Sequence, residues 1–105
     1  MQLFTVIETP LFNKLWPAYW TADEFGAFCA FLASNPSEGV VVPGTGGVRK
    51  VRWGRVGVGK SGGVRVIYVA RSQAGELVLL TIYAKSHIET LKASTLKELR
   101  DAFDQ

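Results

Sequence analysis

The chain has a single cysteine and a single histidine in 105 residues. One cysteine cannot pair within the chain, so a disulfide framework is excluded. One His and one Cys, far apart in sequence, cannot make a structural zinc site. With one imidazole, no Ser-His-Asp order stands out for nucleophilic catalysis. No apolar run approaches the roughly 18–20 residues of a membrane span. The opening MQLFTVIETP lacks a basic segment followed by an apolar one, so no secretory signal is expected. These absences imply a cytoplasmic protein with no membrane partner, no metal and no cofactor. A further absence concerns charge: no acidic residue occurs between Gly39 and Gly75.

That acid-free middle holds Arg49, Lys50, Arg52, Arg55, Lys60, Arg65 and Arg71. The total charge of +3 therefore conceals +7 in the middle and −4 on the flanks. A surface serving only solubility usually mixes signs. A block of one sign is the footprint of a polyanion partner. The plainer alternative is a solvated basic face. The rest is that of one globular domain spanning 1–105: 48 % apolar and 11 % aromatic content is too rich for a disordered chain.

Periodicity predicts an α+β fold. Leu3 to Ile7 is a β-branched, apolar run that reads as a strand. Pro10 to Trp16 reads as a short helix with proline in its first turn. Thr21 and Glu24 form a capping box that opens a second helix. Phe25, Phe28, Cys29 and Leu32 give it one apolar stripe, and Asn35-Pro36 ends it. Cys29 on that stripe reads as a structural thiol. Val40 to Val42, Arg49 to Arg55, Val64 to Arg71 and Leu77 to Ala84 read as strands. In the second of these, Val51 and Trp53 share one face while Lys50 and Arg52 share the other. The last two, joined by Gln73-Ala-Gly75, read as an antiparallel hairpin. Thr95 and Glu98 form a second capping box, with Leu96, Leu99 and Phe103 as the closing helix's stripe. Helices grouped beside an antiparallel meander imply an α+β architecture.

Gly54 to Ser61 matches the phosphate-loop pattern G-x-x-x-x-G-K-S, and Gly57-x-Gly59-x-x-Gly62 the dinucleotide fingerprint. Both require a helix immediately afterwards, because the phosphate sits on a helix N-terminus. The residues that follow, Val64-Arg-Val-Ile-Tyr-Val69, are strand chemistry, so both readings are rejected. The glycines still permit close backbone approach to a phosphate. Arg65 shares strand parity with Ile67 and Val69, an apolar set, and a charge there is costly unless paired or facing a cleft. Its candidate partners are Glu8, Glu76, Glu89 or a phosphate. Chemistry on such a face must proceed without paired carboxylates. RNA offers such a reaction: its 2′-OH attacks the adjacent phosphate, and cations stabilise the added negative charge. Lys or Tyr in a cationic site can carry the protons.

Three strings then carry a resemblance: Pro43-Gly-Thr-Gly-Gly47-Val-Arg49-Lys50-Val-Arg52, Gly57-Val-Gly-Lys60-Ser-Gly-Gly63-Val-Arg65-Val-Ile-Tyr68, and Leu79-Leu-Thr-Ile-Tyr83-Ala-Lys85. With Val6 to Phe12 and Asn35-Pro36, they resemble the HigB-like branch of the RelE/ParE toxin superfamily over residues 4–103. The resemblance implies a small antiparallel, mixed-edge sheet with two N-terminal helices on one face and a short C-terminal helix. It implies a ribosome-dependent endoribonuclease that cuts messenger RNA in the ribosomal A site. A cognate helix-turn-helix antitoxin would hold it inactive, with DNA reached only through that antitoxin. Carried across residue by residue, Arg65, Lys60, Tyr83 and Lys85 are the catalytic candidates, and Arg49, Lys50 and Arg52 match the basic strand. Arg55 and Arg71 are expected as further RNA contacts. Where the family string continues Asn-Glu, this chain has Ser86-His87, which adds His87 to the catalytic candidates. Two readings stay open beside it: a non-enzymatic RNA- or ribosome-binding module, and a ParE-type toxin directed at gyrase.

Overall fold

A computed structural model describes residues 3–54, 63–84 and 92–104. In chain order these form β1 (Thr5–Glu8), α1 (Pro10–Leu15), a 3₁₀ turn (Trp16–Ala18), α2 (Ala22–Ser34), β2 (Val40–Val41), β3 (Val48–Trp53), β4 (Val64–Arg71), β5 (Glu76–Ala84) and α3 (Ala93–Asp104). The strands make one sheet in the order β1-β5-β4-β3-β2. β1 runs parallel to β5, and every other neighbouring pair is antiparallel. This is the α+β architecture expected, with its mixed edge at β1.

Local chemistry sets the helix starts. The Thr21 hydroxyl accepts the Glu24 amide at 3.2 Å, and the Glu24 carboxylate accepts the Thr21 amide at 2.8 Å, closing the capping box. Thr9 caps α1 by accepting the Phe12 amide at 3.2 Å, with Pro10 in the first turn, where its missing N–H costs nothing. The expected capping box at Thr95 and Glu98 is not how α3 starts. The helix begins at Ala93, and the Lys92 carbonyl already accepts the Leu96 amide at 3.1 Å. Thr95 therefore lies within the first turn, where its hydroxyl is too late to cap the chain's entry.

Two apolar layers enclose the sheet. On one face, Phe12 of α1 and Phe28 and Leu32 of α2 pack with Trp20 against Val51, Val64, Val66, Tyr68, Leu77, Leu79 and Ile82. Burying each of these large side chains stabilises the fold by about 1.5–3 kcal/mol. Trp16 stacks on Phe25 with ring centroids 4.4 Å apart, and its Nε1 donates to Glu8 at 3.0 Å. The aromatic residues of 16–20 thus anchor the N-terminal helices. Cys29 packs at the margin of this layer, and burial pushes its thiol up to about 11, a poor nucleophile at neutral pH. On the opposite face, Leu96 of α3, flanked by Leu99 and Phe103, covers Val48, Ile67, Val78, Leu80 and Tyr83.

β5 carries a bulge. Ile67 of β4 pairs with Thr81, but Tyr68 pairs with Leu79, which leaves Leu80 as an extra residue. The Thr9 hydroxyl takes up the carbonyls there, at 2.8 Å from Leu79 O and 3.2 Å from Leu80 O. The bulge changes the alternation of β5. Leu77, Leu79 and Ile82 face α1 and α2, whereas Val78, Leu80 and Tyr83 face α3. At the β4–β5 turn Gly75 has φ of 67°, a left-handed conformation that side-chain-bearing residues rarely adopt.

Candidate nucleic-acid interface

On the α3 face, the strands change character along their length. Val48, Ile67, Val69, Val78 and Leu80 lie beneath α3, and then β3 continues with Lys50 and Arg52 while β4 runs back to Arg65. The register places Arg52 opposite Arg65, and Arg65 opposite Tyr83. Three side chains from three neighbouring strands therefore form one row, each strand roughly 4.8 Å from the next. Lys50, Arg52 and Arg65 line a groove of about 450 Å³ together with Val40, Val51 and Glu38.

Arg65 is the unusual member of the row. It is 7 % exposed, and its one side-chain hydrogen bond within the described residues is a long 3.5 Å contact to the neighbouring Val64 carbonyl. Glu8 is engaged by Asn13 and Trp16, and Glu76 stands opposite Arg71 at the other end of β4. Neither acid reaches Arg65; Glu89 lies outside the described residues. A guanidinium buried without a carboxylate is costly, and a second arginine directly opposite adds repulsion. An anion in the groove would relieve both. Beside Arg65, burial pushes the Tyr83 phenol above the usual tyrosine range, and the Arg65 charge offsets this in part. Tyr83 is therefore a neutral proton donor at neutral pH.

Arg49 sits on the other face of β3. Its guanidinium donates to the Gly39 carbonyl at 2.6 Å and to the Ser37 carbonyl at 3.4 Å. Tyr68, fully buried, accepts the Gly39 amide at 2.9 Å and donates to the Pro36 carbonyl at 2.8 Å. These two side chains clamp the 36–39 turn. Gly39 is required there, because a Cβ would meet the Tyr68 ring at 2.8 Å and the Lys50 carbonyl at 3.0 Å.

No protein-family model matches the chain. Among solved structures it is similar to a mutant of the E. coli toxin RelE in the free state, with a TM-score of 0.64 and 12 % sequence identity. The match covers 95 % of this chain and 98 % of that one. The fold is RelE-like.

Within this RelE-like fold, the expected site residues separate into groups. Lys50, Arg52, Arg65 and Tyr83 come together as described. Arg49 does not join them, since it faces the other way and binds backbone carbonyls. Arg71 lies at the far end of β4, with its guanidinium 5.6 Å from the centre of the Phe103 ring. It is six positions along the strand from Arg65, roughly 20 Å. Arg55, Lys60, Lys85 and His87 lie outside the described residues, as does most of the glycine-rich loop. The segment after that loop is strand β4, as its composition predicted. Among the described residues there is no group of three or more His, Cys, Asp or Glu that could hold a metal. No helix among them is long and apolar enough to cross a membrane.

The sequence reading missed Glu38. It is the last acid before the acid-free stretch, so it reads as a flank. Pairing of Val40 with Lys50 folds β2 back over β3 and returns Glu38 to the level of Arg52.

Proposed function

We propose that this protein is a RelE-type toxin, of the HigB-like branch, that cuts messenger RNA in the ribosomal A site and is neutralised by a helix-turn-helix antitoxin. The observation that carries this reading is Arg65: a buried guanidinium with no carboxylate among the described residues, opening onto a groove with Lys50 and Arg52. The RelE-like fold and the motif strings support it. The groove suits one phosphodiester of a single strand, with Lys50 and Arg52 tracking the backbone.

The chemistry is in-line attack. The 2′-oxygen bonds to phosphorus and loses its proton to a base, and the bond to the 5′-oxygen breaks as that oxygen takes up a proton. The products are a 2′,3′-cyclic phosphate and a 5′-hydroxyl. Arg65 stabilises the extra charge on the phosphate oxygens, assisted by Lys60. Tyr83, held neutral beside Arg65, is the candidate to protonate the leaving 5′-oxygen. Lys85 and His87, next along the chain from β5, are the candidates for the base. No step calls for a cofactor, and the site of action is the cytoplasm.

The test is Arg65→Ala in cells and with programmed ribosomes. Growth arrest should disappear and the cleavage rate fall by roughly 10²–10³, while a cooperative melting transition shows that the fold is kept. Primer extension on messenger RNA reads the outcome. A folded variant that cuts at the parental rate overturns the assignment. Arrest by the parental protein with uncut transcripts would instead identify a binding module, and DNA damage with intact transcripts a gyrase toxin.

A further inference from the structure

We infer that Glu38 reads the nucleobase beside the phosphate held by Arg65, and that it favours bases presenting N–H donors, guanine above all. The inference rests on the function proposed above and extends it from cleavage to selectivity. Three observations carry it. First, Glu38 is the one carboxylate among the described residues that line the groove, alongside Lys50, Arg52 and Arg65. It makes no ion pair within the described residues, so the groove's charges are not cancelled internally. Second, the turn that carries it is rigid. Residues 36, 37 and 39 are each bonded by Tyr68 or Arg49, and Gly39 is packed under the Tyr68 ring. An exposed acid with no role would not need both neighbours fixed by Tyr68 and Arg49. Third, its position separates it from the phosphate. Glu38 lies on the β2 side, two strand spacings from Arg65, or roughly 10 Å.

A carboxylate only accepts hydrogen bonds, and it repels phosphate. Its partner on a nucleotide must then be a hydroxyl or a base N–H. The attacking 2′-OH lies about 3–3.5 Å from the phosphorus it attacks, too close to Arg65 for an acceptor two strands away. The base projects outward from the backbone and reaches that distance. Single-stranded bases are commonly read on their Watson–Crick edges. There guanine offers two adjacent N–H groups that match both carboxylate oxygens. Adenine and cytosine offer an amino group, and uracil one ring N–H. Val40, 73 % exposed at the rim of the groove, supplies an apolar surface for the base to lie on.

The experiment uses the full chain and ribosomes programmed with messengers that differ only in the base next to the cut. The parental protein should cut the guanine messenger faster than the uracil messenger. Glu38→Gln and Glu38→Ala should each lower that ratio by roughly 5- to 100-fold, the range for one bidentate base contact. Glu38 is exposed, so melting curves of both variants should overlay the parent's. Equal ratios in all three proteins would overturn the inference, as would parental cutting without preference, and in both cases the proposed nuclease would stand. If the parental protein cuts neither messenger, the function and this inference fall together.

Discussion

On the face covered by α1 and α2, the strands contribute apolar side chains from Val51 and Val64 through Leu77 and Leu79, and the layer is continuous. On the face covered by α3 the apolar layer stops partway. Val48, Ile67 and Val78 lie under Leu96, but the same strands then present Lys50, Arg52 and Arg65. The difference lies in how much of each face the helices reach. α1, the 3₁₀ turn and α2 supply a broad aromatic cover. α3 covers one end and leaves the other as a cationic groove with a buried arginine in its wall. Among the described residues, one face therefore holds the fold together, and half of the other carries no helix over its groove.

Substitutions placed on the two halves of the α3 face should break stability and activity separately. The largest effect is on activity, from Arg65→Ala as set out above. Leu96→Ala should do the opposite. It should cost roughly 2–4 kcal/mol of stability by leaving a cavity under α3, seen as a lower urea midpoint, while cleavage per folded molecule stays near parental. Equal losses of activity in the two variants would show that the halves are not independent. Thr9→Val tests the opposite layer's tie to the site. It removes the α1 cap and the hydroxyl that bonds Leu79 O and Leu80 O. A loss of about 2 kcal/mol is expected, or about 10 °C in melting temperature for a domain of this size. The smallest effect concerns pH. Burial raises both Tyr68 and Tyr83, so their phenols stay neutral in the folded protein while the unfolded chain begins to ionise near 10.0. The stability they confer is full below that pH and declines above it. Tyr68→Phe should lower stability by about 1–2 kcal/mol at neutral pH, yet flatten the alkaline decline in a melt series from pH 8 to 11.

Much of this was legible in the residues, because the relevant signals are local. The capping box at Thr21, the stripe of α2 and the alternation of β3 depend on spacing alone. Arg65 announced itself as a charge on an apolar parity, and it does lie buried at the groove. Three features escaped, one of them, Glu38, because it depends on distant pairing. Arg49 sits in the basic run, but its parity turns it toward the 36–39 turn. Glu38 belongs to an acidic flank in sequence and to a basic groove in space. Thr95 and Glu98 have capping-box spacing, yet α3 had already begun at Ala93.

The bulge at Leu80 makes β5 two strands in opposite phase, joined at a seam. Its inner half keeps time with α1 and α2, and its outer half with Arg65. Length is negotiable at the seam and fixed elsewhere. Removing Leu80 would leave plain alternation with Tyr83 still opposite Arg65. Removing Ile82 would instead rotate Tyr83 into the aromatic layer. Which residue stands beside Arg65 is thus decided by where the chain carries its extra residue, as much as by what that residue is.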